Sequence, residues 1–328
     1  MSDRLSSSVL IPSFKRGLKL RTCLLSLAAQ TVPPDEVIVV WQGDDTPTRD
    51  LAEQCRSEVN YPLRVLHSQD RGVVPAENTA LAAAVGSIVF LIDDDAIAPP
   101  EWIAKHLAHY QASSRVGAVG GSAVNIQDGV PLPRRAVEPV GMITFTGRML
   151  GNMYDHIDEW RSRPPRRVQH LVGYNMSLRR SAFDRFEDQL RSYWQMFEAD
   201  ACLQVAANGY DVLFDFGNVV EHHPSNPTFH PGRQGDLQIK IFNPAFNYAF
   251  ILAKHTQWYR WPAVWMFFLL RGTTSMPGIA SFFNCVRKYG NLGLELKILF
   301  RTWKHQVMGW RAGMRSRDMR AKVRLAAD

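Results

Sequence analysis

Three carboxylates in a row close a strongly apolar stretch, Phe90-Leu91-Ile92 running into Asp93-Asp94-Asp95. Adjacent like charges repel, and a divalent cation gives them a reason to coexist. Hard oxygen ligands suit Mg²⁺ or Mn²⁺, whose shells are commonly completed by water and substrate phosphates. A solvated acidic turn ending a strand is the plainer alternative. Far downstream, His222-His223 follows another apolar run. An imidazole there suits a borderline metal such as Mn²⁺, and a surface pair before Pro224 explains it without one. Phe197-Glu198-Ala199-Asp200 sits at or near a helix start. A carboxylate there can take a proton from an attacking hydroxyl or simply complement the helix dipole. Asp70-Arg71-Gly72, followed by Ala76-Glu77-Asn78, offers a guanidinium for a phosphate beside a glycine that permits close backbone approach. No G-x-G-x-x-G fingerprint and no G-K-[ST] loop follows the first strand, which argues against ordinary NAD enzymes and P-loop ATPases.

Groups so far apart in sequence need a scaffold that gathers them. Ser8–Ile11, Glu36–Trp41, Leu63–His67, Ser87–Ile92 and Val116–Val119 read as apolar strands. Between them, Leu20, Leu24 and Leu27 fall at helical spacing, Ala76–Ala84 is alanine-rich, and Pro99-Pro100-Glu101 opens a further helix. Alternating strands and helices imply an α/β fold with a mostly parallel central sheet flanked by helices. In such sheets ligands bind beyond the carboxyl ends of the strands. The acidic loops at 42–45 and 93–95 both lie at such ends. Residues 125–167 read as a long irregular loop, Val168–Val172 as a strand, Ser181–Gly209 as helical, and Val212–Phe216 with Asn218–Val220 as a strand pair. Beyond about residue 235 the chain turns aromatic and helical, so the expected division is 1–235 for the catalytic domain and 236–328 for a helical C-terminal region.

The chain has 328 residues and a net charge of +7. All of that excess lies in Lys297–Asp328, which holds nine Lys/Arg against two acids. A neutral body with a basic tail argues against a general nucleic-acid binder. The four cysteines are widely spaced and read as reduced thiols. Met1–Ser8 is polar, which argues against a cleaved signal peptide. Trp261–Leu270 is apolar for only ten residues, about half of what a spanning helix needs.

The ordered set resembles family 2 glycosyltransferases. It begins with Ser8-Val9-Leu10-Ile11-Pro12-Ser13-Phe14-Lys15-Arg16, Gln30-Thr31 and Glu36–Val40. It continues through Arg71-Gly72, Ala76-Glu77-Asn78, the aspartate triplet and Gly173-Tyr174-Asn175-Met176-Ser177-Leu178-Arg179-Arg180, and ends with Glu198, Asp200, Gly209-Tyr210 and His222. The resemblance spans roughly residues 8 to 223. It implies a GT-A fold and an inverting transferase, dependent on Mn²⁺ or Mg²⁺, that uses a nucleotide-diphospho-sugar donor. It further implies metal contacts from Asp93, Asp95 and His222. Donor contacts would come from Pro12, Asp44, Asp45, Arg71, Asn78, Asp93 and Asp94. Gly173, Asn175 and Met176 would line the acceptor side, and Glu198 or Asp200 would be the base. Three departures stand out. Trp41 occupies the place of the usual aspartate after the second strand, Glu77 that of an arginine, and Phe197 that of the first acid of a pair.

The implied acceptor is a hydroxyl of a glycan or polyprenyl-linked molecule in bacterial surface polysaccharide synthesis. The aromatic residues of 241–270 and the basic tail suit a membrane surface, or else pack on the catalytic domain. The expected location is the cytoplasm, peripheral on the cytoplasmic membrane face. A degenerate transferase serving as an assembly partner is the alternative from another class. A nucleotidyltransferase fits less well, because Pro12–Gly17 lacks the glycine-rich loop that class uses.

Overall fold

The computed structural model describes residues 4–134, 136–151, 155–192, 196–224, 236–273 and 275–327. The chain forms two compact units. The first takes in residues up to Met142, Gly151–Asp188 and Glu198–Pro227, and the second Ile143–Leu150, Gln189–Phe197 and Thr228–Asp328. The single boundary expected after residue 235 therefore differs from the structure. Two strips from the middle of the sequence belong with the C-terminal helices, and residue 235 itself lies outside the described residues.

In the first unit, β1 (Ser7–Ser13), β2 (Glu36–Gln42), β3 (Leu63–Ser68) and β4 (Ile88–Leu91) alternate with α1 (Leu18–Ala28), α2 (Thr46–Cys55) and α3 (Val73–Ala83). The strands are near-continuous Val/Ile/Leu runs because both faces of a parallel sheet are covered. Val9, Leu10, Ile11 and Val37–Val40 are all fully buried. After β4 come the two-residue β5 (Ala96–Ile97), α4 (Trp102–Ala112) and β6 (Val116–Gln127). Then β7 (Met176–Arg179), α5 (Phe197–Ala207) and β8 (Asp211–His222) complete the set. The sheet order is β8-β6-β7-β4-β1-β2-β3, with the short strand Arg166–Arg167 on the outer edge of β8. All long pairings are parallel except those of β7, which runs antiparallel to both β4 and β6. That reversal brings the amino end of β7 to the rim where β4 has its carboxyl end.

Three sequence expectations are corrected. Val168–Val172 is not a strand; the strand is β7, whose Met176, Ser177 and Leu178 are all fully buried. The helix expected over Ser181–Gly209 is confined to α5. Its earlier part is charged and irregular, and Asn78 holds part of it by pairing with the Phe186 backbone and the Asp188 carboxylate. The expected strand pair at 212–220 is the single strand β8, interrupted by a bulge. Phe214 faces Gly120 and Val219 faces Ser122, so residues 215–218 stand against Gly121 alone. A β-carbon on Gly121 would lie 1.9 Å from the Asn218 carbonyl oxygen. Asp215 pairs with His109 at 2.9 Å, and Lys105 reaches the Gly217 carbonyl at 3.0 Å, so α4 braces the bulge.

The second unit is helical, with α6 (Asn243–His255), α7 (Trp261–Met266), α8 (Ile279–Tyr289) and the long α9 (Leu292–Ala327). Most of the aromatic run expected at a membrane surface is the core of this unit. Phe242, Phe246, Tyr248, Phe250, Phe267 and Phe268 are buried. Trp258, Tyr259, Met266 and Leu270 are exposed. No helix among the described residues is long and apolar enough to cross a membrane. All four cysteines are buried, and none of them forms a disulfide.

Candidate active site

The aspartate triplet sits on the turn leaving β4, and β8 delivers His222 beside it by pairing with β5, where His222 faces Ala96. The His222 Nε2 lies 3.3 Å from Asp95 Oδ1 and 3.6 Å from Asp93 Oδ2. One ligand atom from each of the three residues falls within 4.8 Å of the others. On its far side, His222 Nδ1 meets Asn125 Oδ1 at 2.9 Å. An amide oxygen only accepts, so Nδ1 carries the proton and Nε2 can offer a lone pair inward. Tyr174 stacks on the imidazole with ring centroids 4.6 Å apart. Two carboxylate oxygens and an oriented imidazole nitrogen form a donor set that fits Mn²⁺.

The remaining charges are held by the loop after β1. Ser13 Oγ donates to Asp94 Oδ2 at 2.6 Å, and Arg16 bridges Asp94 and Asp95 at 3.2 Å each. Burial and these partners act together on the protonation of Asp94, Asp95 and His222. Burial raises Asp95, but its contacts with His222 and Arg16 outweigh that and hold it below the usual range. Burial pulls His222 down, yet Asp93 and Asp95 lift it to about 9, so near neutral pH Nε2 also carries a proton, which a bound cation would have to displace. Burial pushes Asp94 up to about 7, against the pull of Arg16 and Ser13. From sequence, Arg16, Ser13 and Tyr174 were named only as members of motifs, without a role, and Asn125 was not singled out. For the first two a signal existed: β1 pairs with β4, so the loops after them share one rim.

Glu198 and Asp200 both lie in the first turn of α5. Asp200 is fully buried and accepts from Gln204 Nε2 at 2.6 Å. Glu198 is half-buried, and its Oε1 accepts from the Gly173 amide at 3.2 Å. Burial and then the Asp93 charge push Glu198 up to about 7, although hydrogen bonds from backbone amides oppose them. The 3-10 turn Gly173–Asn175 thus links the two halves of the site, touching Glu198 through Gly173 and His222 through Tyr174. Glu77, fully enclosed on α3, is raised well above its ordinary value by burial and by Asp93 and Glu198. Its Oε2 has no hydrogen-bond partner.

Several expected contacts are placed otherwise. Asn175 is fully buried and holds strands together through Trp102, the Ser122 carbonyl and the Asn218 carbonyl. Met176 is core. Both side chains are buried, and Gly173, the third residue expected on the acceptor side, meets Glu198 through its amide. Asn78 is occupied in the brace described above rather than at the rim. Asp45 is buried, its Oδ2 accepting from the Lys15 amide and the Thr48 hydroxyl at 2.5 Å each. It therefore shapes the β1–α1 loop, where Lys15 takes a left-handed φ of 57°. Asp44 is exposed and paired with Arg71. Pro12 is half-buried within β1. Trp41, at the family's aspartate position, is half-buried and stacks on the exposed His67 with ring centroids 3.8 Å apart.

A cavity of about 620 Å³ opens between the loops after β1 and β2, lined by Lys15, Gly17, Leu18, Asp44, Asp45, Pro47, Thr48 and Leu51. It lies beside the acidic rim rather than over it. A smaller one of about 200 Å³ touches Asp95, Lys19 and His223.

The profile described as Glycosyl transferase family 2 matches residues 8–186. Among curated proteins, the putative glycosyltransferase EpsH of Bacillus subtilis is 30% identical over 95 residues, which is 29% of this chain and 27% of that protein. The chain thus covers well under two thirds of that relative. Among solved structures, GalNAc-T7 with UDP, GalNAc and Mn²⁺ superposes with a TM-score of 0.60 at 14% identity, over 90% of this chain and 57% of that one. S. aureus TarS 1-349 gives 0.55 at 13% identity, over 96% and 92%. These likenesses bear out the expected GT-A fold.

Proposed function

We propose that this chain, which belongs to glycosyl transferase family 2, moves a sugar from a nucleotide-diphospho-sugar to a hydroxyl of a glycan or lipid-linked acceptor with inversion at the anomeric carbon. The observation that carries the reading is the convergence of Asp93, Asp95 and His222 on one rim with a glutamate whose pKa is near 7. Asp93, Asp95 and His222 would hold a divalent cation, Mn²⁺ or Mg²⁺, which when bound would offset charge on the departing diphosphate. The relative crystallised with UDP and Mn²⁺ supports that choice. The cavity beside Lys15 and Asp44 is the proposed seat of the nucleoside, with Arg71 at its edge.

Glu198 then does the proton work. Near neutral pH its carboxylate accepts the proton of the attacking hydroxyl, which a strongly acidic carboxylate would do poorly. The Gly173 amide, bonded to one oxygen, fixes the carboxyl and leaves the other for substrate. Attack comes from the face opposite the diphosphate, so no covalent sugar–enzyme intermediate is needed. The test is thermal unfolding of the protein with UDP, GDP and other nucleoside diphosphates, with and without Mn²⁺, followed by donor turnover. A ligand of the folded state raises stability by mass action. Asp95→Ala should abolish the Mn²⁺-dependent part of the shift. A nucleotide response that ignores both Mn²⁺ and this substitution would remove the metal from the proposal.

The proposed location is the cytoplasmic face of a membrane, as a peripheral protein. Trp258, Tyr259, Met266 and Leu270 are exposed in the helical unit with Arg260 and Arg271 among them. Aromatic and basic residues together favour a bilayer interface. Liposome flotation of Trp258→Ser/Tyr259→Ser tests this, and flotation equal to the parent would withdraw it.

A further inference from the structure

The helical unit carries a second, oppositely charged recess that the sugar-transfer reading does not use. Two glycines make it possible. A β-carbon on Gly309 would lie 2.1 Å from the Phe246 carbonyl oxygen, and one on Gly313 would lie 2.2 Å from that of Phe250. Helices α6 and α9 therefore meet backbone to backbone. Beside that seam lies a cavity of about 500 Å³, within the roughly 300–1,000 Å³ common for small-ligand sites. Met308, Arg311, Ala312 and Arg315 of α9 line it, at the i, i+3, i+4, i+7 spacing of one helix face. Phe246 of α6 supplies apolar floor, and Gln189 and Arg191 close the side.

Arg191 is anchored at both ends. Its amide donates to Asn247 Oδ1 at 2.8 Å, and its carbonyl accepts from Asn247 Nδ2 at 2.9 Å. Its guanidinium carbon lies over Phe246, 3.7 Å from the ring centroid. Half-buried, it is lowered from the ordinary arginine value by loss of water. No carboxylate lines the cavity among the described residues, and no ion pair joins Arg191, Arg311 or Arg315 to an acid among them. Arg311 and Arg315, one turn apart, repel each other. Three guanidinium groups around one recess, one of them stacked and clamped, are an arrangement that an anion would relieve. Planar forks match phosphate oxygens in pairs, and the Phe246–Met308–Ala312 floor accepts an apolar substituent.

We propose that this groove between α6 and α9 binds a phosphate-bearing anion, with Arg191, Arg311 and Arg315 as its ligands. The phosphate can come from a lipid headgroup or from a free phosphate compound, and the experiment separates the two. The full-length protein and its Arg311→Gln/Arg315→Gln and Arg311→Lys/Arg315→Lys variants are titrated with pyrophosphate in chelator at fixed ionic strength. The same proteins are floated with vesicles of phosphatidylglycerol and of phosphatidylcholine. Thermal unfolding checks that each variant is folded. Arg191→Gln serves as an independent variant on another segment.

A free-phosphate site predicts pyrophosphate binding that weakens at least tenfold in the glutamine variant and in Arg191→Gln, with vesicle binding unchanged. A headgroup site predicts the same loss on phosphatidylglycerol vesicles alone. In either case the lysine variant should recover only part, because a point charge lacks the fork. Equal binding by parent and glutamine variant to both probes overturns the proposal. So does full recovery by lysine, which would reduce the groove to diffuse attraction, and so does a parent protein that binds neither probe.

Discussion

The aspartates at the end of β4 and the glutamates behind them are all carboxyls of one unit, yet they are solvated by the protein in opposite ways. Asp95 is gripped by Arg16 and His222 and stays ionised in spite of burial. Glu198 has a backbone amide of the 173–175 turn for support, and one Glu77 oxygen has no partner. Both glutamates hold their protons toward higher pH. Asp94 is the middle case, partnered by Ser13 and Arg16 but pushed to about 7 by burial. Paired carboxylates keep a charge that can meet a cation. Solitary ones keep an affinity for protons, which a general base near neutral pH requires.

Removing the solitary group should have the largest effect. Glu198→Gln is expected to lower turnover by about 10²–10⁴-fold while leaving the Mn²⁺-dependent nucleotide response intact. Retained turnover would move the role to Asp200, whose carboxyl is at present enclosed and bound to Gln204. Weakening the paired side indirectly comes next. Asn125→Ala frees His222 Nδ1 and should cost about 10–100-fold in Mn²⁺ affinity, read by calorimetric titration with the fold unchanged. An unaltered affinity would mean that the orientation of the imidazole does not matter.

The pH profile sharpens the comparison further. The base must be unprotonated, so the rate should fall about tenfold per pH unit below the Glu198 pKa. That limb should lie near 7 or lower, since a cation beside Asp93 cancels part of the upward push. A rate flat down to pH 5 would contradict the assignment. The smallest effect concerns stability. Glu77 has a folded pKa raised above its ordinary 4.5. The stability it confers is complete below that value and is lost as pH rises toward the folded pKa. The loss is about 1.4 kcal/mol for each pH unit of that window. Glu77→Gln should therefore lose less stability than the parent between pH 5 and pH 8 in urea unfolding. Identical losses would mean that Glu77 finds a partner in solution.

Much of the first unit was legible because parallel strands announce themselves. Val37-Ile38-Val39-Val40 and Ile88-Val89-Phe90-Leu91 are runs that only a sheet covered on both faces buries. The acid-ended turn after β4 followed from the same rule. The burial of Asn175 and Met176 was not legible, because it depends on β7 running antiparallel between two strands far away in sequence. The aromatic C-terminal run was ambiguous for a related reason. Phe246 and Phe250 look like any interfacial pair until Gly309 and Gly313 bring α9 against them. Arg16 was named within the opening motif without a role, because only the pairing of β1 with β4 brings the loops after them together.

The bulge in β8 has a bearing on how this chain can change length. Surface loops ordinarily absorb insertions and deletions with little harm. Residues 215–218 join two stretches of one strand, and they set which face Val219, Val220, Glu221 and His222 present. Side chains alternate along a strand, so a gain or loss of one residue there would carry the imidazole to the opposite side of the sheet. Every site residue would still be present in the sequence, in order, and the cluster would be gone. Within these four positions the count of residues is a stricter requirement than their identity.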